Sequence, residues 1–147
     1  MIRTVFLLHL LATLTMFGVI WTVQVVQYPG FAQVGREAWS TYADIYQQRI
    51  TFVVGPAMVL ELATAVWLVL DRPAAFPLWA VVAGAVLIGV IWASTAFLQV
   101  PLHTALSAGF DAEVQARLVA TNWIRTAAWT LRAGLVLWLA ARVMPPL

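Results

Sequence analysis

Residues 76–100, FPLWAVVAGAVLIGVIWASTAFLQV, contain no charged side chain. A helix needs about 20 predominantly apolar residues to cross the hydrocarbon core of a bilayer, and this stretch supplies them without interruption. The same reading applied outward finds three more apolar runs, residues 5–26, 52–70 and 126–143. Sixty-three per cent of the 147 residues are hydrophobic and only 10% are charged, a balance outside the range of water-soluble domains. The expected fold is therefore all-α: an integral membrane four-helix bundle forming one domain over residues 1–147. The first run follows Arg3 and could be taken for a signal peptide, but it is too long and no small-x-small cleavage site follows it, so it is read as a helix.

Composition also excludes several chemistries. The chain has no cysteine, which removes disulfides, thiolate metal sites and cysteine nucleophiles. Its basic residues are all arginine and are scattered, leaving no basic cluster to track a phosphate backbone; no nucleic-acid partner is expected. The histidines, His9 and His103, fall at opposite ends of the expected bundle, so no shared metal site is expected. Four spans place both termini beside the Asp71-Arg72-Pro73 turn, and residues 27–51 and 99–125 on the other side. Arginine counts on the two sides nearly balance; the expectation is that both termini are cytoplasmic.

A repeat runs through this pattern. Gly18-Val19-Ile20-Trp21 precedes Gln27-Tyr28-Pro29, and Gly89-Val90-Ile91-Trp92 precedes Gln99-Val100-Pro101. Each proline opens a polar segment that leads through Arg49-Ile50-Thr51 or Arg125-Thr126 into the next span. The pattern reads as a duplicated two-helix hairpin with halves of about 1–72 and 73–147, although chance identity in an apolar sequence would give a similar match. Duplication predicts that both proline-headed segments meet at one end. Trp39, Tyr42, Tyr46 and Ile50 recur at helical spacing in the first segment, and Asp111 is a suitable N-cap for Ala112–Ala120 in the second, so a short helix is expected in each of the two longer loops. Ala85, Gly89 and Ala93 lie one turn apart, spacing that permits close helix approach in lipid, and place the third span at the centre.

Polar residues collect at two depths. Glu61 lies mid-span, where an unpaired charge costs about 2.5 kcal/mol or more. Arg132 runs down a parallel span, and at 1.5 Å per residue the two sit about 14 Å and about 9 Å below the loop-side ends of their helices, within reach of an arginine side chain. The pair reads as a register-fixing contact or as a ligand or proton site. At the loop-side mouth Gln24, Gln27, Tyr28, Gln99, His103, Asn122, Trp123 and Arg125 converge. Such groups at the opening of an apolar bundle suit the polar head of a hydrophobic molecule; ordinary capping of helix ends would use the same residue types.

Val100-Pro101-Leu102-His103, Leu106 and Asn122-Trp123-Ile124-Arg125-Thr126 resemble the C-terminal signature of the anthrone-oxygenase-like small bacterial membrane proteins, most closely over residues 97–135. The resemblance implies a bacterial inner-membrane protein that oxygenates an electron-rich polycyclic phenol to a quinone without a cofactor, and it carries over to His103, Asn122, Trp123 and Arg125. In that chemistry His103 and Arg125 are the catalytic candidates, one as base and one as anion stabiliser. Gln27, Tyr28, Gln99, Asn122 and Trp123 are the ligand-binding candidates. The competing expectation is a non-catalytic accessory or assembly subunit of a larger membrane complex, or a homo-oligomer, using its eight tryptophans as contacts.

Overall fold

The computed structural model describes residues 2–143, so the domain expected over 1–147 is seen without Met1 and residues 144–147. Among the described residues all regular structure is helical. Four long helices follow in order: α1 Ile2–Gln33, α2 Trp39–Leu70, α3 Leu78–Ser107 and α4 Ala112–Val143. Three of them, α1, α2 and α3, are long and apolar enough to cross a membrane. The fourth falls short of that measure, because Arg132 and Arg142 interrupt its apolar second half and Asn122 and Arg125 its first.

The short helices expected in the two longer loops are not separate elements. Trp39–Ile50 forms the opening turns of α2, and Ala112–Ala120 those of α4. Neither the Arg49-Ile50-Thr51 junction nor the Ala120-Thr121 junction contains glycine or proline, so nothing at either junction stops a helix that has started. Each is 32 residues long, about 48 Å, against a hydrocarbon core of about 30 Å. Asp111 caps α4, its Oδ1 accepting from the backbone N–H of Glu113 at 2.8 Å and of Val114 at 3.0 Å.

Nor do the prolines end their helices. A proline ring ordinarily clashes with the carbonyl four residues back, yet α1 continues past Pro29 and α3 past Pro101. Both pass through a π-helical turn, Val23–Gln27 and Thr95–Gln99, just before the X-Pro step. In each, the next backbone N–H reaches five residues back, from Tyr28 to Val23 and from Val100 to Thr95. The wider turn adds one residue and moves the carbonyl away from the ring.

Side-chain contacts fix the helix directions. Thr13 meets Glu61 and His9 meets Thr64, so α1 and α2 are antiparallel; Trp21 meets Thr130 while Tyr28 meets Arg125, so α1 and α4 are antiparallel too. Both proline-containing segments therefore lie at one end. There Trp39 Nε1 donates to the Leu106 carbonyl at 2.6 Å and Gln115 Nε2 to the Tyr28 carbonyl at 2.9 Å. Phe31, Trp39, Leu106 and Leu118 fill that end, Met16, Ile20, Met58 and Trp129 the middle, and Phe6, Leu68, Phe76 and Leu139 the other end.

The third helix is not central. Ala85, Gly89 and Ala93 face outward, and a Cβ added at Gly89 would meet nothing within 4 Å. The close contact falls one residue away, at Gly84, whose carbonyl accepts from Arg132 Nη1. A charged donor requiring an acceptor sets which face of α3 turns inward, and it outweighs the small-residue spacing.

Candidate functional site

Two buried polar networks occupy the interior, one above the other, and both are built on α4. The deeper one surrounds Arg132, which is 1% exposed. Its Nε donates to Glu61 Oε1 at 2.8 Å, its Nη1 to the Gly84 carbonyl, and its Nη2 lies 3.1 Å from His9 Nε2. Glu61 is filled from two further sides: Thr13 Oγ1 donates to Oε1 at 2.8 Å, and Trp129 Nε1 to Oε2 at 3.0 Å. An arginine has no acceptor to offer, so His9 Nε2 must accept, and His9 holds its proton on Nδ1, 2.8 Å from Thr64 Oγ1. All four helices contribute, and the charges cancel.

The upper network surrounds Arg125, which is 8% exposed. Its Nε donates to Asn122 Oδ1 at 2.9 Å, its Nη2 to the same oxygen and to the Tyr28 hydroxyl at 3.2 Å, and its Nη1 to Thr95 Oγ1 at 3.3 Å. Every partner is neutral. Among the described residues the one ion pair is Glu61 with Arg132, so no carboxylate reaches Arg125. Asn122 is held in turn by Gln24, whose Oε1 accepts from its Nδ2 at 2.8 Å. Tyr28 is shared: its hydroxyl accepts from Arg125 and lies 2.8 Å from His103 Nε2. A phenol oxygen both accepts and donates; with its own proton on the Nε2 axis, the imidazole carries its proton on Nδ1.

Beside this network lies a cavity of about 210 Å³. Its polar end is formed by Tyr28, Tyr46, Gln99, His103 and Arg125, and its deeper walls by Ile20, Val23, Val54, Met58 and Trp129. Trp129 is both floor and link, since its ring closes the cavity while its N–H binds Glu61 below. His103 is clasped by aromatic rings, with Tyr46 stacked at 6.2 Å and 26° and Tyr28 edge-on at 5.4 Å.

Of the residues expected at the mouth, His103, Arg125, Tyr28 and Gln99 line the cavity, and Asn122 stands behind Arg125. Three expectations need correction. Asn122, expected to bind ligand, is fully buried behind Arg125 and does not line the cavity, because its amide is taken up by Arg125 and Gln24. Trp123 is 48% exposed and packs edge-to-face on Trp21 at 5.7 Å, because two residues on a helix differ by about 200° in direction and Arg125 takes the inward face. Gln27 does not line the cavity; its Oε1 accepts from the Tyr46 hydroxyl at 2.8 Å and positions that ring. Glu61 and Arg132 form their pair in the deeper network.

Sequence reasoning missed Thr95, Gln47 and Trp129 as cavity residues. Trp129 was findable: it stands four residues after Arg125 and three before Arg132, on the same helical face. Thr95 was not, because its position depends on the π turn that begins there. No family model, curated protein or solved structure matches the chain.

Proposed function

We propose that the chain is a membrane four-helix bundle built from a duplicated hairpin, and that it binds a hydrophobic aromatic or quinone-like molecule with its oxygen at Arg125. The observation carrying this is a buried guanidinium, served by neutral groups alone, at the polar end of a largely apolar cavity. A charge taken out of water without a counter-ion is costly, and an anionic or strongly accepting ligand oxygen offsets that cost. Membrane insertion of α4 is supported by its outward face, where Ile124, Leu131 and Leu137 are exposed while Arg125 and Arg132 are turned inward. Duplication is supported by the paired π turns and X-Pro steps of α1 and α3. We place the termini in the cytoplasm.

The reaction that suits the site is oxygenation of a phenolic substrate in its keto form, with dioxygen as oxidant. The Tyr28 oxygen takes a proton from the ring CH₂ as its own proton passes to His103 Nε2, and Arg125 holds the resulting oxyanion. Dioxygen adds to the carbanion carbon, and the peroxide anion takes back, through Tyr28, the proton held on His103, giving the hydroperoxide. Loss of water from the hydroperoxide leaves a carbonyl, so one oxygen atom enters the product and the other leaves as water. The resemblance over residues 97–135 supports this chemistry. Native mass spectrometry of the protein released from its own membrane tests the reading. The expected spectrum contains a small-molecule adduct that Arg125→Met abolishes; an empty site in a complex with unrelated chains makes the protein an accessory subunit and overturns it.

A further inference from the structure

The cavity is not closed on every side, and the side on which it opens is specific. Its back is formed by buried residues of α1 and α4: Ile20, Val23, Arg125 and Trp129. Its exposed lining residues belong to the other two helices, Thr51 on α2 and Val100 and Thr104 on α3. The mouth is therefore a slot between α2 and α3. The surface flanking it is strongly apolar, with Phe52 83%, Val53 49%, Phe97 78% and Val100 54% exposed. In a protein that spans a membrane, a slot with such a rim opens to lipid tails and not to water.

Size adds a second constraint. A cavity of about 150 Å³ admits one benzene ring; at about 210 Å³ this one matches one ring or two fused rings. The remainder of any larger hydrophobic ligand must lie in the slot.

We propose that the ligand is a tailed amphiphile: a phenolic or quinone-type head of one or two rings seated against Arg125, Tyr28 and His103, with an alkyl or polyprenyl-like tail running out between α2 and α3 into the bilayer. This rests on the head-group site proposed above and narrows its substrate class. The head enters sideways from the membrane, so the tail stays in lipid throughout and contributes binding only at the slot.

The absence of cysteine makes a direct test available. A single Phe97→Cys variant, on the rim and outside the cavity lining, is alkylated in lipid nanodiscs with a maleimide that obstructs the tail's path and leaves the cavity mouth open, with Leu137→Cys on the outer face of α4 as the labelling control. Binding of p-cresol and of 4-dodecylphenol is measured by titration calorimetry against protein-free nanodiscs of the same lipid. The expected result is that labelling at 97 weakens 4-dodecylphenol about tenfold, the equivalent of two buried methylenes, leaves p-cresol within about twofold, and that labelling at 137 changes neither. Retained p-cresol binding also shows that the labelled protein is folded. If unlabelled protein binds neither phenol, the head-group site itself falls. If p-cresol binds but labelling at 97 weakens both phenols equally or neither, the tail's route is overturned and the head-group site stands.

Discussion

Arg125 and Arg132 lie two turns apart on one face of one helix, and both are buried, yet they are served in opposite ways. Arg132 has a carboxylate, a backbone carbonyl and an imidazole nitrogen. Arg125 has an amide oxygen, a phenol and a threonine hydroxyl, with a cavity alongside. The first arrangement completes itself: four helices converge on it and its net charge is zero. The second keeps its charge and has room beside it. A buried ion pair with every donor and acceptor matched fixes register and leaves nothing for a ligand, whereas a buried cation among neutral groups is poised for an oxygen supplied from outside.

Breaking the deeper network should produce the largest effect. Glu61→Ala strands the Arg132 guanidinium and also removes the acceptor of Thr13 and Trp129. The expected loss is about 3–5 kcal/mol of stability, read as a shift in unfolding midpoint in detergent at constant protein concentration. A loss below about 1 kcal/mol, the range of an exposed pair, would mean that the network is open to solvent and that the contrast drawn here is wrong.

The contrast was only partly legible in the sequence. Glu61 and Arg132 announced themselves as charges inside apolar runs, and a rise of 1.5 Å per residue brought them to neighbouring depths. The convergence of Tyr28, His103 and Arg125 was visible as residue types near two prolines. What sequence could not supply was azimuth. Trp123 and Arg125 are both near the mouth, but only the helix rotation, set by Asn122, Arg125 and Trp129 all turning inward, sends Trp123 out to the surface. The π turns were equally hidden, since a single inserted residue leaves no compositional trace. The outward placement of Gly89 shows the same gap: spacing identified a stripe, and only the Arg132 bond to Gly84 decides where it faces.

The upper network gives an effect of intermediate size that falls on binding and spares the fold. Arg125→Met keeps the length of the side chain and removes its charge. It forfeits the bonds to Asn122 and Tyr28 but also relieves the cost of an unpaired buried cation, so the net stability change should stay within about 1.5 kcal/mol. Binding of a phenolate probe such as p-nitrophenol above its pKa should fall about tenfold to a hundredfold, the strength of one charge-assisted hydrogen bond. The opposite partition, large destabilisation with unchanged affinity, would make Arg125 a second Arg132. Tyr28→Phe should act more weakly, by about 1 kcal/mol of stability, because it removes one hydroxyl that Arg125 and His103 share. Its distinctive effect should be on turnover, since it cuts the path from the substrate to His103.

Trp123 supplies the smallest expected effect and separates position from proximity. It is adjacent in sequence to Asn122, two residues from Arg125, and part of the same Asn122-Trp123-Ile124-Arg125 run, so a motif-based reading gives it a binding role. The structure instead puts its ring on the outer surface against Trp21. Trp123→Leu should therefore cost no more than the edge-to-face pair, about 0.5–1.5 kcal/mol, and should leave p-nitrophenol affinity within about twofold, well under the 1.4 kcal/mol that marks a tenfold change. A loss of affinity matching that of Arg125→Met would require the outer face of α4 to carry the ligand, and the inward cavity would then be a packing void. Unchanged affinity, together with a strong response to Arg125→Met, ties binding to the side of the helix that faces the cavity and not to the sequence motif that spans both sides.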